Sequence, residues 1–288
     1  MPRARLRPAV VTATVVTAIA VAVLAVPAPA LAATGWTTAG YDHAGALTQS
    51  QGLATITRAG STELRYTGVG TIPLSVRLAG WDHVGDPDSV AGYYVEPYEH
   101  AGATAKMFRV QAPDGGWREY VHALGAGEAY NNSFDTISPS GRWLLSGEWG
   151  TMDRLLGFAT PGLNPAAVPG RDLPTAFTVR LDHPVRNVQG CDFFTAQTLL
   201  CASDDPSADL FGMVKPLLRI DLARPLDGAD VAGHVAALRP LPLVSICSGA
   251  FEVEGVDYSS ATGTLRVIVM SPGVCVIIDS KSWRLRQG

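Results

Sequence analysis

Six polar residues carry most of the chemistry this chain of 288 residues offers: Gln51, His83, Asp86, Asp135, Gln189 and Glu254. Most of them stand at or beside a glycine that opens a short apolar run. Carboxylate and amide oxygens suit a hard cation, and calcium takes about 6–8 of them. Asp135, Gln189 and Glu254 are therefore the candidate metal ligands, with Gln51 a further oxygen donor. His83 lies beside Asp82 and near Asp86 and Asp88, and a histidine held by a carboxylate serves as a general base. His83 and Glu254 are the two candidate catalytic residues.

Each of these readings has a plainer rival. Asp135 or Asp192 accepts backbone N–H groups at its own turn. Gln189 and Glu254 fill a polar channel with water between them. His83 is an ordinary hydrogen-bonding loop residue, and Asp86-Pro87-Asp88 and Asp204-Asp205-Pro206 are turns. Neither Gly-x-Ser-x-Gly nor His-Glu-x-x-His occurs, and Ser245-Ile246-Cys247-Ser248-Gly249 is not a nucleophile elbow. Tyr93, Tyr94, Tyr98 and Trp149 either stack on a sugar ring or pack between sheets.

The elements that must position these residues are hairpins. One phrase recurs: Gln189-Gly190-Cys191-Asp192 running into Leu199-Leu200-Cys201, Glu254-Gly255-Val256-Asp257 before Leu265-Arg266-Val267, and Phe134-Asp135-Thr136-Ile137 before Trp143-Leu144-Leu145. Each copy is a strand, a tight turn and a second apolar strand. Gln51, Val84, Phe134, Gln189 and Glu254 open five copies at intervals of 33, 50, 55 and 65 residues. Almost nothing repeats at helical spacing. The pattern predicts an all-β chain folded as a single β-propeller of five blades, with two β-sandwiches as the alternative. Residues 72–78 read as a strand, 161–174 as a connecting loop, and 231–238 as a short helix or a loop. Residues 244–247 and 274–278 read as further strands. A strand near Trp36 would help to close the ring. In such a ring the first residues of the inner strands line a channel mouth. Gln51, His83, Asp86, Asp135, Gln189 and Glu254 would face one another there as a ligand-binding collar.

Gln51-Gly52-Leu53-Ala54, His83-x-Gly85-Asp86-Pro87-Asp88, Arg186-x-x-Gln189-Gly190 and Val253-Glu254-Gly255 resemble inner-strand motifs of secreted propellers. The likeness is to the SMP-30/NHL and phytase-like propeller superfamilies and covers most of the chain after residue 32. It implies charged and amide side chains ringing a central channel, often around calcium. This chain sets Gln, His/Asp, Asp, Gln and Glu at those positions where such propellers carry a fuller set of acids.

The first 32 residues have the pattern of a signal peptide: Arg3, Arg5 and Arg7, an uncharged run, then Ala30-Leu31-Ala32. The rival is an uncleaved membrane anchor. Cleavage after Ala32 leaves a propeller domain at 33–288 and places it outside the cell. It removes three arginines and no acids, which takes the net charge from −4 to −7. An acidic chain of this kind is a poor nucleic-acid binder, and no second apolar run is long enough to span a bilayer. Asn131-Asn132-Ser133 fits a glycosylation sequon.

All four cysteines fall in the exported part, so two disulfides are expected. Three pairings are open. Cys191–Cys201, clasping one hairpin, and Cys247–Cys275 are preferred. Two functions follow. One is a secreted, monomeric binding module for a small molecule, a cell-surface ligand or a cation such as calcium. The other is a hydrolase of a lactone, phosphate ester or glycan, with a metal or His83 activating water.

Overall fold

The computed structural model describes residues 35–102, 104–129 and 134–288. The signal-peptide reading and the Asn131-Asn132-Ser133 sequon lie outside the described residues. In chain order the strands are β1 (Trp36–His43), β2 (Gly52–Arg58), β3 (Ser61–Thr67), β4 (Trp81–Val84), β5 (Asp88–Val90), β6 (Tyr93–His100), β7 (Ala105–Gln111), β8 (Trp117–Ala123), β9 (Thr136–Ile137) and β10 (Trp143–Ser146). They continue as β11 (Thr151–Ala159), β12 (Phe177–Arg186), β13 (Val188–Thr195), β14 (Thr198–Ser203), β15 (Pro216–Leu222), β16 (Val231–Pro240), β17 (Glu252–Ser259), β18 (Thr264–Met270) and β19 (Lys281–Gln287). Two short helices, α1 (Leu74–Leu78) and α2 (Cys275–Ile278), join them. The fold class is all-β.

Local chemistry explains these elements. In β8, Tyr120 and His122 are buried while Glu119 and Val121 face out, the two-residue period of a strand with one covered face. β2 and β3 are joined by Ala59-Gly60, both with positive φ (48° and 80°), as a tight two-residue hairpin turn requires.

Four sequence expectations change. Residues 231–238 belong to strand β16, in which Val231, Gly233 and Val235 are buried at period two. Within 72–78 the chain forms α1 behind Pro73, a residue pre-set for a helix start. Residues 244–247 are irregular, and 275–278 form α2 after Pro272-Gly273.

Antiparallel meanders build the sheets. β17, β18, β19 and β1 form one, in which the first strand of the chain pairs with the last. β13–β16 and β9–β12 are two more, joined into one eight-stranded sheet by parallel pairing of β12 with β16. The end strands of that sheet, β9 and β13, touch, so it is nearly closed on itself. β4 and β5 both pair with β6, which continues into β7 and β8, while β2 and β3 stand as a pair. The opening strands make a circuit: β2 touches β5, β5 touches β9, β9 touches β13, β13 touches β17, and β17 touches β2.

A separate apolar cluster fills each gap between consecutive sheets. Leu53 meets Ile268 and Met270, and Ala54 and Ile56 meet Tyr94. Phe108 meets Phe158, Phe177 and Val179 pack with Leu218 and Ile220, and Leu200 and Leu217 pack with Val253 and Val267. Both preferred disulfides are present, Cys191–Cys201 across β13 and β14 and Cys247–Cys275 between the segment before β17 and the start of α2. They suit an oxidising, extracellular setting.

Candidate functional site: an acidic axis

Asp86, between β4 and β5, is fully buried. Its Oδ1 accepts the Leu53 N–H at 3.0 Å and its Oδ2 the Val256 N–H at 2.9 Å. Its carbonyl accepts the Asp135 N–H at 3.0 Å. A Cβ on Gly52 would lie 2.4 Å from the Asp86 Cα, on Gly190 2.4 Å from Oδ2, and on Gly255 2.1 Å from Oδ1. One residue thus reaches all four of the other opening strands, three through its carboxylate and the β9 segment through its carbonyl. Glycine is required at the three contacts because any side chain would occupy the space Asp86 fills.

Two residues further along lies a second acidic tier. Asp257 accepts the Thr55 N–H at 2.6 Å and the Thr55 hydroxyl at 2.7 Å. Asp192 accepts the Tyr258 N–H at 2.5 Å. Asp88 accepts the Ile137 N–H at 2.6 Å, and the Ser89 hydroxyl donates to the Thr55 carbonyl at 2.7 Å. Each bond crosses from one opening strand to the next. These acids fasten the circuit where strand ladders cannot. Asp192 accepts across strands and not, as its plainer sequence reading had it, at its own turn.

Asp135 departs from this pattern. It is fully buried, and neither carboxylate oxygen has a hydrogen-bond partner among the described residues. Burial pushes its carboxyl well above the usual range, and the nearby Asp88, Asp86 and Glu96 carboxyls push it further. Burial also raises Asp86 and Asp192 strongly. For Asp192 the next causes are the carboxylates of Asp88 and Asp257, so acids from three opening strands feel one another across the axis. Burial lifts Asp88 to about 7. As residues, Asp88 and Asp192 are half-buried, where Asp86 and Asp135 are fully buried.

The other collar candidates fall around this axis. Gln51 is half-buried and donates to the Ser50 carbonyl at 3.0 Å, and Gln189 is half-buried on β13. Their neighbours Gly52 and Gly190 touch Asp86, but the two amides are not the groups that meet there. Glu254 is buried on β17, raised first by burial and then by Glu252 and Asp204, the latter paired with Lys215. His83 lies on β4 opposite Glu99, outside the circuit of opening strands, and burial lowers it against the pull of Asp82. Asp86 and Asp135 are brought together; His83 is not brought to them. Asp88, Asp192 and Asp257 belong to the site as well. The recurring spacing Asp86-x-Asp88, Gly190-x-Asp192 and Gly255-x-Asp257 was the signal that marks them.

Buried charge elsewhere is neutralised internally. Lys106 donates to the Gly147 carbonyl at 2.6 Å and lies 3.3 Å from Glu128. His122 sets Nδ1 at 2.8 Å from the Leu173 carbonyl and Nε2 at 2.8 Å from Glu128. Both ring nitrogens thus face oxygen atoms. His122 and Lys106 hold Glu128 at about 2 against its burial.

Among the described residues, no group of three histidine, cysteine, aspartate or glutamate side chains is arranged to hold a metal ion. Asp135 alone on the axis keeps both oxygens unpaired, well short of the roughly 6–8 oxygens of a calcium shell. A monovalent cation or a single protonated amine is the closer match to that donor set. Comparison with known proteins gives no matching family model and no matching curated relative.

Proposed function

We propose that the protein is an exported five-bladed β-propeller, akin to the SMP-30/NHL and phytase-like propellers, that binds a small cation or cationic ligand on its axis. The circuit of β2, β5, β9, β13 and β17, with a core cluster in each gap, supports the five-blade reading. The observation that carries the binding reading is Asp135, a buried carboxylate with two unpaired oxygens beside Asp86 and Asp88. An ionised carboxylate in that place costs several kcal/mol unless a proton or a cation offsets it. Asp88 and Asp192, in the second tier, set further carboxyl groups beside the same axis. Gln51, Gln189 and Glu254 stand around the same end.

The test is thermal unfolding of the chain from Ala33 at pH 8, with EDTA, calcium, magnesium, potassium, ammonium or methylammonium. A ligand of the native state raises the midpoint by mass action. The parent midpoint should rise with at least one cation, and that of Asp135→Asn should not. No rise with any of them removes the reading.

A further inference from the structure

The four loops at the end where β2 and β17 open expose large aliphatic side chains. Pairing of His43 with Lys281, Glu252 with Met270 and Gly52 with Thr67 puts 44–51, 68–80, 241–251 and 271–280 at the same end of their sheets. The loops are tied to one another. Cys247–Cys275 and the Ile246 N–H to Asp279 Oδ2 bond at 3.0 Å link 241–251 to 271–280. The Ala44 N–H to Ser280 carbonyl bond at 2.9 Å links that loop to 44–51. The Gly70 N–H to Leu47 carbonyl bond at 2.7 Å links 44–51 to 68–80.

From this frame Ile246 (84% exposed), Leu78 (78%), Val274 (77%) and Leu74 (70%) project outward, with Leu47 and Ile277 beside them. Exposed aliphatic side chains gathered on linked loops mark an interaction site. The charge pattern selects the occupant. Charged residues make up 17% of the chain, yet these four loops contain two, Arg77 and Asp279. Asp279 is neutralised by Lys281 at 2.6 Å. Arg77 stands exposed on α1 between Leu74 and Leu78. An acidic or basic protein partner would find almost nothing to pair with here. A lipid surface matches: aliphatic side chains enter the acyl boundary, and one cation meets the phosphate layer.

We propose that this face docks on a lipid bilayer, with the side chains of Leu47, Leu74, Leu78, Ile246, Val274 and Ile277 entering its interface and Arg77 meeting lipid phosphate. The disulfide presents Ile246 and Ile277 on one rigid platform, so little ordering is lost on contact. The opening ends of β2 and β17 then face the membrane surface.

The test is flotation of the chain from Ala33 with phosphatidylcholine vesicles and with vesicles of phosphatidylcholine and phosphatidylglycerol. That form keeps every described residue and leaves out the apolar leader, which would bind lipid by itself. The parent chain should float with the vesicles. Ile246→Glu combined with Ile277→Glu should lower the bound fraction at least tenfold with an unchanged unfolding midpoint, and Arg77→Glu should lower it less. No flotation with either vesicle overturns the proposal. So does flotation unaffected by the double substitution. Concentration-dependent dimers in sedimentation that the same substitutions abolish would assign the face to a second copy instead, and would also overturn it.

Discussion

At one end of this molecule polarity is inverted twice. Its axis buries carboxylates, and its loops expose aliphatic side chains. The two inversions differ in how far the structure offsets them. Asp86 accepts two backbone N–H groups and sits among three glycines, so each of its oxygens has a partner. Among the described residues the Asp135 carboxylate, one strand along, has no hydrogen-bond partner, and Ile246 and Leu78 are left exposed. The lesson is that a buried acid is not by itself a site. Compensated, it is a fastener; uncompensated, it points to something that binds.

The sharpest way to break the comparison is at the fastener. Asp86→Ala should leave the Leu53 and Val256 N–H groups buried and unpaired, at roughly 1–3 kcal/mol each plus a cavity. Urea unfolding should show a loss of about 3–5 kcal/mol or failure to fold. Gly255→Ala, which sets a Cβ 2.1 Å from Asp86 Oδ1, should behave similarly. A midpoint close to the parent's for either variant would mean that Asp86 does not hold the strands together.

The pH response comes next in size. Asp88, raised to about 7, and the other raised axial acids bind protons more tightly folded than unfolded. The stability they confer is fully present below the unfolded carboxylate range near 4 and is lost as pH rises through about 7 and beyond. The unfolding midpoint should therefore fall between pH 5 and pH 8, and a bound cation should restore part of it at pH 8. A midpoint that climbs over that window would place the dominant titration elsewhere. The smallest effect belongs to the loops. Ile246→Glu should shift stability by no more than about 0.5 kcal/mol, because the side chain touches water and not a core.

Much of this was legible in the residues. The Gln-Gly and Glu-Gly pairs mark true strand openings, because glycine is what the Asp86 contact demands. The Cys191–Cys201 pairing was legible from the hairpin it clasps, whereas Cys247–Cys275 was preferred as a tie between two strands and joins irregular chain to α2 instead. The role of the collar was harder to read. The residue before each glycine looks like the one that faces the channel, yet the glycine meets the axis and the aspartate two positions on supplies the next tier. Strand β16 was obscured because Ala232, Gly233, Ala236 and Ala237 blur its two-residue period. α1 was obscured because its apolar residues suit a strand until Pro73 is weighed as a helix start. That Asp135 lacks a partner was not legible at all, since it depends on distances between strands far apart in the chain.

The most direct measurement compares Asp135→Asn with the parent chain in equilibrium urea unfolding at pH 8 with cations removed. If Asp135 is a buried carboxylate left for a ligand to satisfy, removing its charge costs nothing, and the variant should be as stable as the parent or more so. A loss above about 2 kcal/mol would show that the carboxylate is already paired in the native protein, and would contradict the account.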